Sequence, residues 1–249
     1  MTTETLREPH MCAIHGTVMP NQFFCRDCSK EADEKNDLER AIAVMQARLN
    51  STRVPSRYHD NRLNDFVTET PAQESVMDTV RNYIWNFPDS FCRGRCLSFI
   101  GGVGTGKTLL ASAMLQTLVG IAFPTERKNE YSPPGRIYRA KYVTAPELVR
   151  QVRDTWTKDA KVTTTEVIQS FAGTDLLVID EVGAGVGTAS ELSLLAEIVD
   201  LRYQARRPTI AISNLGRPGL IAALGEPGVD RLRDNGGDLC LFNWPSYRK

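Results

Sequence analysis

The stretch LSFIGGVGTGKTLL, Leu97 to Leu110, decides the fold. It reads as a short buried strand, a glycine-rich turn and the opening of an apolar helix. Gly101-Gly102-Val103-Gly104-Thr105-Gly106-Lys107-Thr108 fits G-x-x-x-x-G-K-[ST] in full, in the strand–loop–helix context that the motif requires. The glycines let backbone N–H groups converge on phosphate oxygens, and the helix N-terminus adds free donors and a favourable dipole. Lys107 is expected to reach the β- and γ-phosphates and Thr108 to ligate Mg²⁺. The ligand expected is therefore ATP with Mg²⁺.

Three further stretches follow from that one. DLLVIDE carries Asp180 to the end of a buried strand, expected beside the first strand, where it can hold the Mg²⁺ shell. Glu181 follows as the candidate general base for an attacking water. An Asp-Glu pair at this place argues for an ATPase of the ASCE type rather than a GTPase or nucleotide kinase. TIAISN ends another strand with Asn214, which can orient the water and touch the γ-phosphate or be an ordinary turn residue after a strand. GVDRLRD supplies Arg231 and Arg233, either of which could neutralise transition-state charge in a neighbouring copy or simply form surface ion pairs.

From about residue 61 onward, strands alternate with helices: Cys96–Ile100, Ile137–Val143, Asp175–Asp180, Thr209–Ser213 and Leu239–Phe242 are the expected strands. The pattern predicts an α/β domain, a parallel sheet with helices on both faces. Residues 51–60, STRVPSRYHD, have a proline and no apolar period and read as a linker or domain edge. The organisation expected is a small module over 1–50 and an ATPase domain over 51–249. Residues 31–50 predict a helix with Leu38, Ile42, Met45 and Leu49 on one stripe, packed on its own globule or offered to a partner. The segment Thr125–Lys141 mixes Arg127, Lys128, Arg136, Arg139 and Lys141 with Tyr131 and Tyr138, which suits either a nucleic-acid-facing loop or a solvated one.

Composition sets limits. Of 249 residues, 41% are hydrophobic, enough for one good core and a small appendage. Lys+Arg and Asp+Glu are both 30, so global charge offers nothing for nucleic acid and any basic surface is local. The polar N-terminus has no secretory pattern, and Leu109–Phe123 is too short and too polar to span a bilayer, which favours a cytoplasmic protein. Three of the six cysteines precede residue 30: Cys12-x₂-His15 is followed, after nine residues, by Cys25-x₂-Cys28. Two close pairs of this kind can close a tetrahedron around structural Zn²⁺, with His10 an alternative to His15. Cys92 and Cys96 are a weaker pair, with Cys96 starting a buried strand.

From residue 51 to the end the chain resembles the DnaC-type replicative-helicase loaders, close to the IstB-like transposition ATPases. The resemblance lies in RYHDNRLNDF, GGVGTGKTLLA, DLLVIDEVG, RRPTIAISN, ALGEPGVDRLR and LFNWPSYR. A Cys/His module ahead of such an ATPase is similar to phage-borne and DnaI-type loaders. The resemblance implies an AAA+ domain without a helical C-terminal lid, its nucleotide covered by an adjacent subunit. It implies nucleotide roles for Lys107, Thr108, Asp180, Glu181 and Asn214 and a finger role for Arg231. Trp156 and Thr188 fall on single-stranded-DNA-contacting positions, an aromatic anchor of its helix in the core being the other reading of Trp156; Ser190 stands where the family has an aromatic, and Pro227 replaces a basic residue before the finger helix. The implied partners are a hexameric DnaB-type helicase, single-stranded DNA and further copies of the chain in a spiral. A transposition helper or a non-hydrolysing zinc adaptor are the competing readings.

Overall fold

The computed structural model describes residues 11–17, 25–124, 135–184 and 188–248. The chain divides into two compact units, Met1–Ala47 and Arg48–Lys249. In the first, a turn at residues 12–17 precedes helix α1, Arg26–Ser51, which runs on past the boundary. No residue of α1 is buried. Leu38 and Ile42 of the apolar stripe are exposed, whereas Leu49, on the second unit's side of the boundary, packs against that unit's core.

The second unit contains α2 (Pro71–Trp85), α3 (Phe87–Arg93), β1 (Leu97–Gly101), α4 (Lys107–Gly120), β2 (Phe123–Pro124) and β3 (Gly135–Arg136). There follow β4 (Ala140–Thr144), α5 (Ala145–Asp154), α6 (Thr164–Ala172), β5 (Leu176–Asp180), α7 (Ala189–Gln204), β6 (Thr209–Ser213), α8 (Gly216–Arg233) and β7 (Asp238–Phe242). Strands β2 and β3 form a small antiparallel ribbon. The other five make one parallel sheet in the order β4-β5-β6-β1-β7. The expectation that Asp180's strand lies beside the first strand is corrected here: β6 lies between β5 and β1.

Strand alternation sorts the core. Leu97, Phe99, Tyr142, Leu176, Val178, Ile210 and Ile212 face α2 and α4, with Leu110, Met114 and Met77. Val143, Leu177, Ile179 and Ala211 face the other layer, with Leu148, Phe171, Ile198 and Leu220 of α5 to α8. Strands buried on both faces read as unbroken apolar runs, which is why DLLVID and TIAIS were legible. Helix starts are set by side chains: Thr70 with Gln73, Thr163 with Glu166 and Thr188 with Glu191 form reciprocal capping boxes at α2, α6 and α7. Helix α8 is broken at Gly225 (φ 72°), two residues before Pro227, so Arg231 sits on its second stretch.

Residues 52–66 are not a loose linker. Thr52 and Val54 are buried, and the Tyr142 N–H donates to the Thr52 carbonyl at 2.7 Å, on the outer strand of the sheet. Gln116 on α4 donates to the Tyr58 carbonyl at 2.8 Å. A segment without apolar period still becomes ordered when its backbone groups find partners. Among the described residues no helix is long and apolar enough to cross a membrane.

Candidate functional site

The site lies at the carboxyl ends of β1, β5 and β6. The chain leaves β1 through Gly102 to Gly106 and enters α4 at Lys107. Gly104 and Gly106 have φ of 78° and 92°, which side chains rarely adopt. A Cβ on Gly104 would lie 2.0 Å from the Ser246 hydroxyl oxygen, and one on Gly106 would lie 2.8 Å from the Phe66 ring. The turn is thus glycine for close packing as well as for dihedral freedom.

Lys107 Nζ donates to the carbonyls of Gly101 (2.9 Å) and Gly102 (2.5 Å) and to Thr105 Oγ1 (3.2 Å). Burial pushes the ammonium pKa down, with Asp180 opposing and Arg248 adding to the fall. Because α4 lies on the face of β5 that carries Asp180, Thr108 meets that residue although β5 and β1 are not adjacent. Thr108 Oγ1 donates to Asp180 Oδ2 at 2.7 Å. The Tyr142 hydroxyl donates to the same oxygen at 2.8 Å, and the Glu181 N–H to Oδ1 at 2.7 Å. Burial first, and the Asp180 charge second, raise the Tyr142 pKa, so its hydroxyl stays protonated.

Glu181 turns out of the buried strand with φ of 58°. That conformation costs a non-glycine residue about 1 kcal/mol and clusters at functional sites. The Val182 N–H bonds the Ile212 carbonyl at 2.9 Å, and Ser213 Oγ donates back to the Val182 carbonyl at 2.8 Å. These bonds tie the tips of β5 and β6 and leave Glu181 and Asn214 lining one cavity of ≈ 280 Å³ with Lys107, Thr108 and Asp180.

Sequence reasoning missed part of the wall. Arg57, Tyr58, Tyr247 and Arg248 line the same cavity. The C-terminal FNWPSYR clasps the glycine loop. The Tyr247 N–H donates to the Gly104 carbonyl at 2.9 Å, and Trp244 Nε1 to the Thr105 carbonyl at 3.1 Å. Phe66 packs edge-on against Phe242, Trp244 and Tyr247, with centroids 6.5, 6.2 and 6.2 Å away. Gln73 Nε2 donates to the Tyr247 hydroxyl at 2.6 Å, while Gln73 Oε1 caps α2. The signal available was the density of aromatics in that last stretch.

Arg231 does not line its own chain's cavity. It pairs with Asp200 of α7 at 2.9 Å, above the Tyr203 ring. Trp156 is 67% exposed, so it is no core anchor, and with Ile168, Ser190 and Leu194 it lines a shallow apolar groove. Thr188 is occupied locally: its hydroxyl accepts the Glu191 N–H as the cap of α7. Of the basic segment, residues 125–134, with Arg127, Lys128 and Tyr131, lie outside the described residues. Arg136 and Arg139 are drawn to the buried carboxylate of Asp175, at 3.5 and 4.0 Å, and Tyr138 is buried in the core.

In the N-terminal unit, Cys12, His15, Cys25 and Cys28 bring one ligand atom each to within 4.8 Å of one another. His15 Nδ1 lies 3.4 to 3.8 Å from the three sulfurs, and Cys12 Sγ lies 3.6 Å from Cys28 Sγ. The turn over 12–17 closes through the Cys12 N–H to the Thr17 carbonyl and the Gly16 N–H to the Cys12 carbonyl. Cys28 sits in the first turn of α1. Nε2 of His15 contacts Glu31 at 2.9 Å, which orients the ring with Nδ1 toward the sulfurs. Three thiols and one imidazole converging this way fit a closed tetrahedral metal site. His10 lies outside the described residues. Cys96 is buried and its sulfur accepts the Thr209 N–H, a structural role.

No family model matches the chain. The replicative helicase loader DnaC of Buchnera aphidicola subsp. Baizongia pistaciae is 29% identical over 205 residues, 82% of this chain and 76% of that protein. The uncharacterized protein YdaV of Escherichia coli K12 is 29% identical over 246 residues, 98% of this chain and 90% of that protein, so the similarity reaches into the N-terminal unit. The crystal structure of the DnaC helicase loader matches with a TM-score of 0.61 at 22% identity, over 75% of this chain and 99% of that one. The replication initiator DnaA bound to AMPPCP and single-stranded DNA matches with a TM-score of 0.59 at 19% identity, over 78% of this chain and 52% of that one. The fold is the one shared by these DnaC and DnaA structures.

Proposed function

We propose that this chain, similar over most of its length to DnaC replicative helicase loaders, uses ATP to load a hexameric DnaB-type helicase onto single-stranded DNA. The observation that carries the reading is one cavity lined by Lys107, Thr108, Asp180, Glu181 and Asn214. Thr108 and Asp180, already bonded to each other, would hold Mg²⁺, which when bound neutralises charge on the phosphates. The glycine-loop N–H groups and Lys107 bind the phosphates, Glu181 takes a proton from water, and Asn214 orients that water. Arg231, directed away from its own cavity, would serve the site of an adjacent copy in a spiral.

Cys12, His15, Cys25 and Cys28 would hold Zn²⁺, which on the order of 10 kcal/mol of binding energy makes a folding determinant for so short a segment. The module over 1–50 would dock on the helicase, with the exposed Leu38 and Ile42 available to a partner. Trp156 and Thr188 would face single-stranded DNA. The test uses full-length protein. Lys107→Ala should abolish ATP binding. Glu181→Gln should bind ATP normally, lose about 10²-fold or more in phosphate release, and remain on the captured helicase. Helicase release by Glu181→Gln at the wild-type rate refutes the assignment, and failure of the wild type to capture a hexameric helicase refutes the function.

A further inference from the structure

We infer that Tyr142 is a positioning residue for the divalent-cation site: its hydroxyl fixes the Asp180 carboxylate so that Thr108 presents oxygen lone pairs to the ion. The inference deepens the nucleotide-site reading and rests on it. Asp180 Oδ2 lies between two hydroxyl donors, Thr108 Oγ1 at 2.7 Å and Tyr142 at 2.8 Å. Its Oδ1 takes the Glu181 N–H at 2.7 Å. With Oδ2 as its acceptor, the Thr108 proton is directed at Asp180, and the lone pairs of Oγ1 point elsewhere. Without the tyrosine, Oδ2 would have a single side-chain donor and the carboxylate could turn about its last torsion.

Register explains how the contact arises. Tyr142 pairs with Val178 and Thr144 with Asp180, so Tyr142 and Asp180 are diagonal neighbours on one face of the sheet. That diagonal is within reach of an aromatic side chain. Tyr142 is 5% exposed and sits among core residues where phenylalanine would pack equally well. A buried hydroxyl is costly unless it is bonded, and here its bond goes to the carboxylate that also accepts from Thr108.

The test is a titration of full-length protein with a fluorescent ATP analogue, with Mg²⁺ varied and with chelator. Tyr142→Phe should bind nucleotide in chelator as the wild type does, and its Mg²⁺ half-saturation should rise about tenfold, as when an outer-shell partner of a metal ligand is removed. In an Asp180→Asn background the same change should have no effect. An unchanged Mg²⁺ half-saturation, or an equal shift in the Asp180→Asn background, overturns the inference. Tyr142→Met repeats the test should the phenylalanine variant not fold; failure of both to fold assigns the residue to the core alone and also overturns it. Lys107→Ala separates the two readings. If that variant binds nucleotide normally, the nucleotide site itself falls; if it loses binding while Tyr142→Phe behaves as wild type, only the role of Tyr142 falls.

Discussion

Trp244 offers a measurement of what the C-terminal clasp does for the glycine loop. Its ring is 8% exposed, packs 4.9 Å from Phe242 and 6.2 Å from Phe66, and donates to the Thr105 carbonyl at 3.1 Å. Trp244→Ala removes packing and hydrogen bond together, at about 3–5 kcal/mol. Trp244→Phe keeps most of the packing and strands a loop carbonyl, at about 1–2 kcal/mol. For a unit of this size 1 kcal/mol lowers Tm by about 2–4 °C, so alanine should cost about 6–20 °C and phenylalanine about 2–8 °C. If the clasp holds the loop in its phosphate-binding shape, the phenylalanine variant loses about tenfold in ATP affinity, equivalent to about 1.4 kcal/mol. Differential scanning fluorimetry and a nucleotide titration read the two effects. Wild-type ATP affinity for Trp244→Phe, or a Tm for Trp244→Ala within about 2 °C of the wild type, would refute the reasoning.

Three other outcomes follow from the geometry. Arg231→Ala should keep ATP affinity, since Arg231 faces Asp200 rather than its own cavity, and should lower helicase-bound ATP hydrolysis by about 10³-fold; an unchanged rate removes the finger. Cys28→Ser should leave the purified protein without zinc by elemental analysis and reduce the helical circular-dichroism signal of α1, and wild-type zinc content would contradict the proposed ligand set. Arg202 is fully buried and donates to the carbonyls of Phe171, Ala172, Thr174 and Pro208. Arg202→Leu withdraws all four of these bonds, with the Phe171 and Pro208 carbonyls keeping the Thr174 and Leu177 N–H groups, so a loss of at least about 3 kcal/mol is expected, seen as a fall of about 1–2 M in the urea midpoint.

The strands, the glycine loop and the acidic pair were legible because they are local: each is a run of residue types whose chemistry works within six or eight positions. Thr209–Ser213 was placed at its observed bounds for that reason. Sheet order was not legible, because nothing in DLLVIDE says which strand it will pair with. Asp180 still reaches Thr108, through the face that α4 covers rather than through adjacent strands. Tyr142 escaped notice because an aromatic in an apolar strand looks like core until register sets it diagonal to Asp180. Arg57, Tyr58 and Arg248 come to the cavity from ends of the unit nearly two hundred residues apart. The order within residues 51–60, which read as a linker or domain edge, was not legible because backbone partners such as the Tyr142 N–H leave no trace in side-chain pattern. The Cys/His pattern, by contrast, is short-range in both halves, and the four donor atoms do converge.

Gln73 has an effect beyond its size. One end of its amide accepts the Glu69 and Thr70 N–H groups that start α2, and the other donates to Tyr247, whose own N–H holds Gly104. A single planar group therefore ties a helix on one sheet face to the glycine bend after β1. Under the proposed nucleotide reading, a displacement of the first turn of that helix would reach the loop amides without a moving hinge; glutamate at this position would keep the acceptor that starts the helix and remove the donor to Tyr247.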